Sequence, residues 1–465
     1  MPPLSGSARP RPLRPLVLAG GLAAVSAVAL LRAEQGWADQ GLTATVDIAQ
    51  RLEQTSSSDG DSDEGLRALT TLGFGLQSIT RGQELTVSAS TSLAYHFDPT
   101  PPQDSFDTES SALRFGYTAR TRDAELALTG AYSQADIRDA VFALDTETDE
   151  IVVLSEGTRE SLSFGADLDL WTTGPLGLEL GASRRVLTYD SDDSSLNDST
   201  VESLRAALVL RSMPNLTARF FVRHSSTDES GAGATDSESL SYGASAEYDI
   251  DRLTRVSASL SQQDTERTET DGDTSRTEGL GLSLGLTRAL PDGSLSFSVS
   301  QSQSDNGTRH QIRFGRSLSL PRTTLSFSLG ATRTEGFTTH ALAGVELEHR
   351  IDRLGALSVA LSQSATTNSD DDEAVATRLS VSYDHTLSPR AALSAGLALV
   401  QEDVLDSRDG DASSMRLNLS YSHAVGADWR LVSGYSFTRT REEGAEDEDS
   451  SRIHLGLQKS FAFRP

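Results

Sequence analysis

The chain lacks cysteine altogether and has one lysine, Lys459, among its 465 residues. Without thiols it can form no disulfide, and it can cross an oxidising compartment unfolded without being trapped by wrong pairings. Apolar residues make up only 37% of the chain, less than a soluble core of this length usually needs. Such a deficit points either to disorder or to an architecture in which only alternate residues are apolar. Beyond residue 38 no apolar run is long enough to span a membrane as a helix. A basic excess is missing too: 67 Asp and Glu outweigh 40 Lys and Arg, for a net charge of −27. That balance argues against nucleic acid as a partner. No Gly-rich phosphate loop, HExxH or CxxC occurs.

The N-terminus reads as an export signal. Arg9, Arg11 and Arg14 precede an apolar stretch of 16 residues, Leu16 to Leu31, and Gly36-Trp37-Ala38 offers small residues at a cleavage site. Cleavage is expected after Ala38, leaving a mature segment 39–465; removing four Arg and one Glu takes the net charge from −27 to −30.

From about residue 41 the pattern has period 2. In 84–97 (ELTVSASTSLAYHF), Leu85, Val87, Ala89, Thr91, Leu93, Tyr95 and Phe97 share one face, and Thr86, Ser88, Ser90, Ser92 and Ala94 the other. The same alternation recurs at Leu162–Leu170, Leu280–Leu286, Leu325–Leu329 and Met415–Tyr421. Counting such segments predicts 22 strands, within two. Tight turns such as Thr173-Gly174-Pro175, Met213-Pro214-Asn215, Pro291-Asp292-Gly293, Pro321-Arg322-Thr323 and Ser388-Pro389-Arg390 alternate with acidic, Ser-rich connections. The latter are expected at 53–65, 138–158, 190–200, 266–277, 368–373, 403–412 and 442–450. The first and last strands both have their free ends on the tight-turn side, which requires an even strand number. A sheet that spans lipid must pair every backbone group, so it must close on itself.

These features resemble the bacterial outer-membrane β-barrel class, over the whole mature chain. The last strand, Arg452 to Phe463, alternates and ends in Phe461-Ala462-Phe463, although Arg464 and Pro465 follow. The resemblance implies an all-β fold: a transmembrane antiparallel up-and-down barrel of about 22 strands. It implies both termini in the periplasm, acidic connections outside, contact with outer-membrane lipid and lipopolysaccharide, and recognition of the C-terminal strand by the barrel-assembly machinery. No globular plug precedes the first strand, unlike a complete TonB-dependent receptor.

Tyr95, Phe97, Trp171, Tyr189, Trp429, Phe461 and Phe463 lie near segment ends and are candidates for the interfacial girdles. The opposite face supplies candidate lumen-lining residues: Asp167, Asp169, Arg205, Arg211, Arg219, Arg223, Glu247, Asp249, Arg378 and Asp384, among many Ser, Thr and Gly. No metal, cofactor or catalytic group is expected. Asp59-Gly60-Asp61-Ser62-Asp63 opens like a calcium loop, but Glu64 and Thr70 stand where such a loop needs Gly and Glu. The eight histidines are scattered, without Ser or Asp partners in pattern. The expected function is passage of hydrophilic solutes, with polysaccharide export as a wide-bore variant. The alternative is a non-conducting surface scaffold or adhesin. Barrels of 22 strands are known as plugged lumens, so width alone does not decide between them.

Overall fold

The computed structural model describes residues 41–57, 65–97, 106–136, 157–191, 196–231, 234–269, 272–304, 307–367, 373–404, 412–426, 428–442 and 447–463. The expected signal 1–38 and the acidic run at Asp59–Asp63 lie outside these residues.

The strands are β1 (Leu42–Ser57), β2 (Gly65–Ile79), β3 (Gln83–Phe97), β4 (Phe106–Arg120), β5 (Ala124–Asp136), β6 (Thr158–Leu170), β7 (Leu176–Asp190) and β8 (Asp198–Met213). Next come β9 (Leu216–Ser230), β10 (Thr235–Asp249), β11 (Thr254–Glu269), β12 (Thr274–Leu290), β13 (Gly293–Ser304), β14 (Gly307–Leu320) and β15 (Thr323–Thr334). The chain ends with β16 (His340–Arg350), β17 (Gly355–Thr367), β18 (Glu373–Ser388), β19 (Ala391–Val404), β20 (Ala412–Ala424), β21 (Trp429–Glu442) and β22 (Glu448–Phe463). The observed count, 22, is the count the alternation predicts. Each strand pairs antiparallel with its successor, and β22 pairs with β1, Ala44 opposite Phe463 through to Ser57 opposite Ser450. The sheet therefore has no free edge, the condition for residing in lipid. A circular section of this many strands, ~4.8 Å apart and tilted ~40°, would be roughly 40 Å across.

The two faces differ as the alternation requires. Ile48, Leu72, Phe115, Phe164, Leu204, Phe220, Leu260, Leu284, Phe314, Leu329 and Leu455 are all exposed on one face. On the other, side chains from strands that are not neighbours meet. Arg205 on β8 reaches Asp167 on β6, and Arg219 on β9 reaches Glu179 on β7. Only the concave side of a curved sheet lets side chains converge across an intervening strand, so this face is the lumen and the apolar face is outside. Bulk is kept low inside. Ser261 and Ser257 hydroxyls lie so close over Gly281 and Gly285 that a Cβ there would collide with them.

The connections also sort by end. At one end they span two to five residues, from 80–82 to 425–428. At the other they range from two residues (305–306) to 21 (137–157). Two tight turns repeat one sequence, Ile250-Asp251-Arg252-Leu253 and Ile351-Asp352-Arg353-Leu354. In each, Asp Oδ1 accepts the N–H groups two and three residues on, at 2.7–2.8 Å. Those backbone donors hold the Asp251 and Asp352 carboxyls below the usual range. The flanking Ile and Leu are exposed, placing apolar side chains at the tight-turn rim.

Six of the seven expected connections are shorter than their composition predicts. Segment 266–277 is mostly strand: β11 continues to Glu269 and β12 begins at Thr274. Its charges are accommodated by cross-strand pairing, because Arg276 bonds Asp264 on β11 and approaches Glu278 at 3.2 Å. Segments 53–65 and 368–373 also lose their ends to strands: β1 runs to Ser57, and Glu373 opens β18.

Candidate functional site in the barrel lumen

All ten candidate lumen residues stand on the concave face, and they divide it into unlike sectors. From β5 to β11 it is charged. Asp167 pairs with Arg205, and Glu179 accepts two bonds of 3.1 Å from Arg219. Asp169 sits opposite Glu125 on one side and Glu179 on the other. Asp249 takes Arg255 at 2.7 Å, with Glu247 3.8 Å from the same guanidinium. Arg211 turns toward the tight-turn rim and donates to the carbonyls of Trp171 and Gly174. Arg223 faces Arg205 and Ser241 across its neighbours and has no polar partner among the described residues.

From β12 onward the wall is mainly hydroxyl and small. Ser294, Ser296, Ser298 and Ser300 line β13; Ser326 and Ser328 line β15; Ser380 and Ser382 line β18. Arg378, between Ser362 and Val400, and Asp384, between Ala356 and Ser394, place isolated charges in this sector. The lumen thus presents one arc of opposed charges and one of hydroxyls, a surface that hydrates without a single-sign field.

Two ion-pair clusters near the long-connection end were missed, because the composition of 53–65 and 368–373 assigns their carboxylates to solvated connections. Both carboxylates lie in strands and are buried. Glu53 is 1% exposed; Arg67 reaches it at 2.6 and 2.9 Å, Arg452 at 3.1 Å and Arg51 at 3.5 Å. Arg67 also holds Glu109 on β4, so the cluster links β22, β1, β2 and β4 across the closure of the barrel. The signal for it was available: Arg51, Glu53, Arg67 and Arg452 share the inner register.

The second cluster fills a break in the wall. The β16–β17 ladder ends at Gly344 opposite Ser362, leaving the upper parts of both strands without mutual pairing. Side chains replace the ladder there. From β14, Arg309 donates to the Ala365 carbonyl at 3.3 Å and Arg313 to the Gln363 carbonyl at 3.4 Å. Gln363 Oε1 accepts the Ala343 N–H at 3.0 Å. Arg309 also grips both oxygens of the fully buried Glu373 at 2.7–2.8 Å, and Thr334 donates to the same carboxylate at 3.0 Å.

Five of the seven girdle candidates stand on the outer face. Tyr95 and Phe97 meet edge to face, with centroids 5.0 Å apart, at the long-connection end. Trp171, Trp429, Phe461 and Phe463 lie at the tight-turn end. There Lys459 sits over the Trp429 and Phe461 rings at 5.3 and 4.6 Å. Trp171 lies in the turn between β6 and β7, outside the strand alternation, and Tyr189 is the exception among the strand residues. It pairs with Arg159 in the register that carries Ser163, Asp167 and Asp169, so it stands on the inner face. The alternation of β7 carries through Leu178, Leu180 and Ala182 outward, and Tyr189 falls on the other parity.

A family model described as Gram-negative porin matches residues 253–405, β11 to just beyond β19. No curated protein matches. Among solved structures, the chain is similar to the FrpB iron transporter of Neisseria meningitidis: TM-score 0.57, 10% identity, covering 89% of this chain and 81% of that one. It is likewise similar to the ferric-catecholate import receptor Fiu of E. coli K12: TM-score 0.59, 9% identity, 91% and 82% coverage. A third similar structure is the ferric enterobactin receptor of Pseudomonas aeruginosa, at TM-score 0.55, 10% identity, 90% and 81% coverage. At such identities the likeness is one of fold. What these structures share with this chain is the closed antiparallel β-barrel, and the match to the Gram-negative porin model covers about a third of the chain.

Proposed function

We propose that the barrel passes small hydrophilic solutes across the outer membrane, with tight turns and both chain ends in the periplasm and the longer acidic connections outside. The observation that carries this reading is the concave face. Opposed charges on β5–β11 and hydroxyls on β12–β22 leave no continuous apolar surface inside among the described residues that would drive the walls together. The likeness to an iron transporter and a ferric-catecholate import receptor supports nutrient passage as the direction of use. The alternating final strand, ending in Phe463, supports delivery by the barrel-assembly machinery.

Liposome swelling tests it. Vesicles containing folded wild-type protein should swell in isosmotic arabinose, sucrose and raffinose, at rates that fall with solute size. Swelling in long dextrans as well would shift the reading to a polysaccharide conduit. No swelling in any sugar, from protein that is folded and inserted, would contradict passage and favour a surface scaffold.

A further inference from the structure

The outer face carries a groove that the lumen does not explain. It lies across β12 to β15, holds about 300 Å³, and has an apolar lower wall of Leu282, Leu284, Val299 and Ile312. Its upper lip is polar: Gln301, His310 and Arg333 are successive partners across β13, β14 and β15, with Thr339 beside them. The sheet itself makes the indentation. The β12–β13 ladder stops at Leu282 opposite Gln301, so β12 runs on from there without a β13 partner. Gln301 Nε2 spans the divergence to the Leu280 carbonyl at 3.3 Å.

The charge on this lip is unusual for the molecule. Near the long-connection end, the other outward-facing cations described each meet a carboxylate. Arg184 pairs with Glu202 at 2.9 Å, His224 with Glu238 at 3.7 Å, Arg276 with Asp264, Arg439 with Asp449 and Arg441 with Asp447 at 2.7 Å. His310 and Arg333 are exposed and meet none; Glu335, two residues beyond Arg333, forms no ion pair with either. In a chain of net charge −27, an unmatched guanidinium beside an unmatched imidazole, directly above an apolar groove, complements an anionic head on an apolar tail.

We infer that this groove binds a phosphorylated, multiply acylated lipid of the outer leaflet. One acyl chain lies along Leu282, Leu284, Val299 and Ile312. A phosphate sits between Arg333 and His310, with Gln301 and Thr339 as neutral donors. The site rests on the orientation given under the proposed function, with the long-connection end outward, and does not depend on whether the lumen conducts.

Native mass spectrometry of the folded full-length protein in detergent tests it, with hexa-acylated bisphosphoryl lipid A as the probe. The wild type should retain one lipid A, and neither the fully dephosphorylated lipid nor millimolar inorganic phosphate should match or displace it. His310→Gln with Arg333→Gln should weaken retention about tenfold or more, as loss of a charge-assisted contact does. Val299→Trp, which fills the groove and leaves Arg333 and His310 in place, should weaken it as well. Arg288→Gln, at the opposite end of β12, should leave it unchanged. Equal retention by the double variant, or equal retention of dephosphorylated lipid, would overturn the assignment. A wild type that swells vesicles but retains no lipid A would sink this inference alone.

Discussion

Glu53→Ala is expected to lower the free energy of unfolding by about 3–5 kcal/mol, the cost of removing one partner from a buried ion pair. Glu53 is 1% exposed, and Arg67, at 8%, loses its principal counter-ion with it. Arg452 is 30% exposed and can turn partly toward water, so most of the penalty falls on Arg67. Glu109 holds the far side of Arg67 at 2.8 Å and keeps the loss below that of a bare buried charge. Because the cluster joins β22 to β1, β2 and β4, the variant should unfold first at the closure of the barrel. Urea unfolding in detergent, followed by tryptophan fluorescence and by gel migration with and without heating, measures this. Arg67→Ala should cost a similar amount, and the double variant Glu53→Ala with Arg67→Ala should cost less than the sum of the two. Additive losses would show that the two residues do not act as one unit.

Arg309→Ala is expected to be comparably severe, about 3–5 kcal/mol, and to act locally. Glu373, fully buried, would lose the guanidinium that holds both its oxygens. The Ala365 carbonyl would lose its donor where no ladder replaces it. An unpaired backbone group at the edge of a membrane sheet is costly, so the seam between β16 and β17 should loosen. Hydrogen exchange over 340–344 and 362–367 should accelerate by about tenfold or more while β5–β9 stay protected. Arg309→Lys should not restore protection, because an ammonium cannot hold both carboxylate oxygens and the carbonyl in one plane. Unchanged exchange at the seam in Arg309→Ala would contradict the role given to the guanidinium.

Much of this structure is legible in the alternation of the chain. Period 2 specifies the number of strands and the face of each residue, because register errors of one position would turn every leucine inward. That is why Asp167, Arg205, Arg219 and Glu247 are found where the pattern places them. Strand ends are less legible. Acidic, hydroxyl-rich sequence reads as solvated connection, yet Glu53, Arg276 and Glu373 lie in strands, since an opposite charge from a neighbouring or facing strand neutralises each of them. Tyr189 shows the same limit from the aromatic side: nearness to a strand end suggests a girdle, but parity places it within. The break between β16 and β17 leaves no mark in composition, because the arginines that bridge it come from three strands away. The paired carboxylates and arginines of the inner wall could be recognised as inward-facing, but which of them pair depends on curvature, which no local pattern encodes.

Whether the lumen conducts is measured most directly by planar-bilayer recording of the purified, folded wild-type chain. Passage of hydrophilic solutes predicts discrete, reproducible current steps in potassium chloride, present in every preparation that shows heat-modifiable migration. Arg219→Gln, which frees Glu179 to act with Asp169 and Glu247, should then move the reversal potential under a salt gradient toward cations. Silent bilayers from protein proven to be folded and inserted would contradict a hydrated conduit.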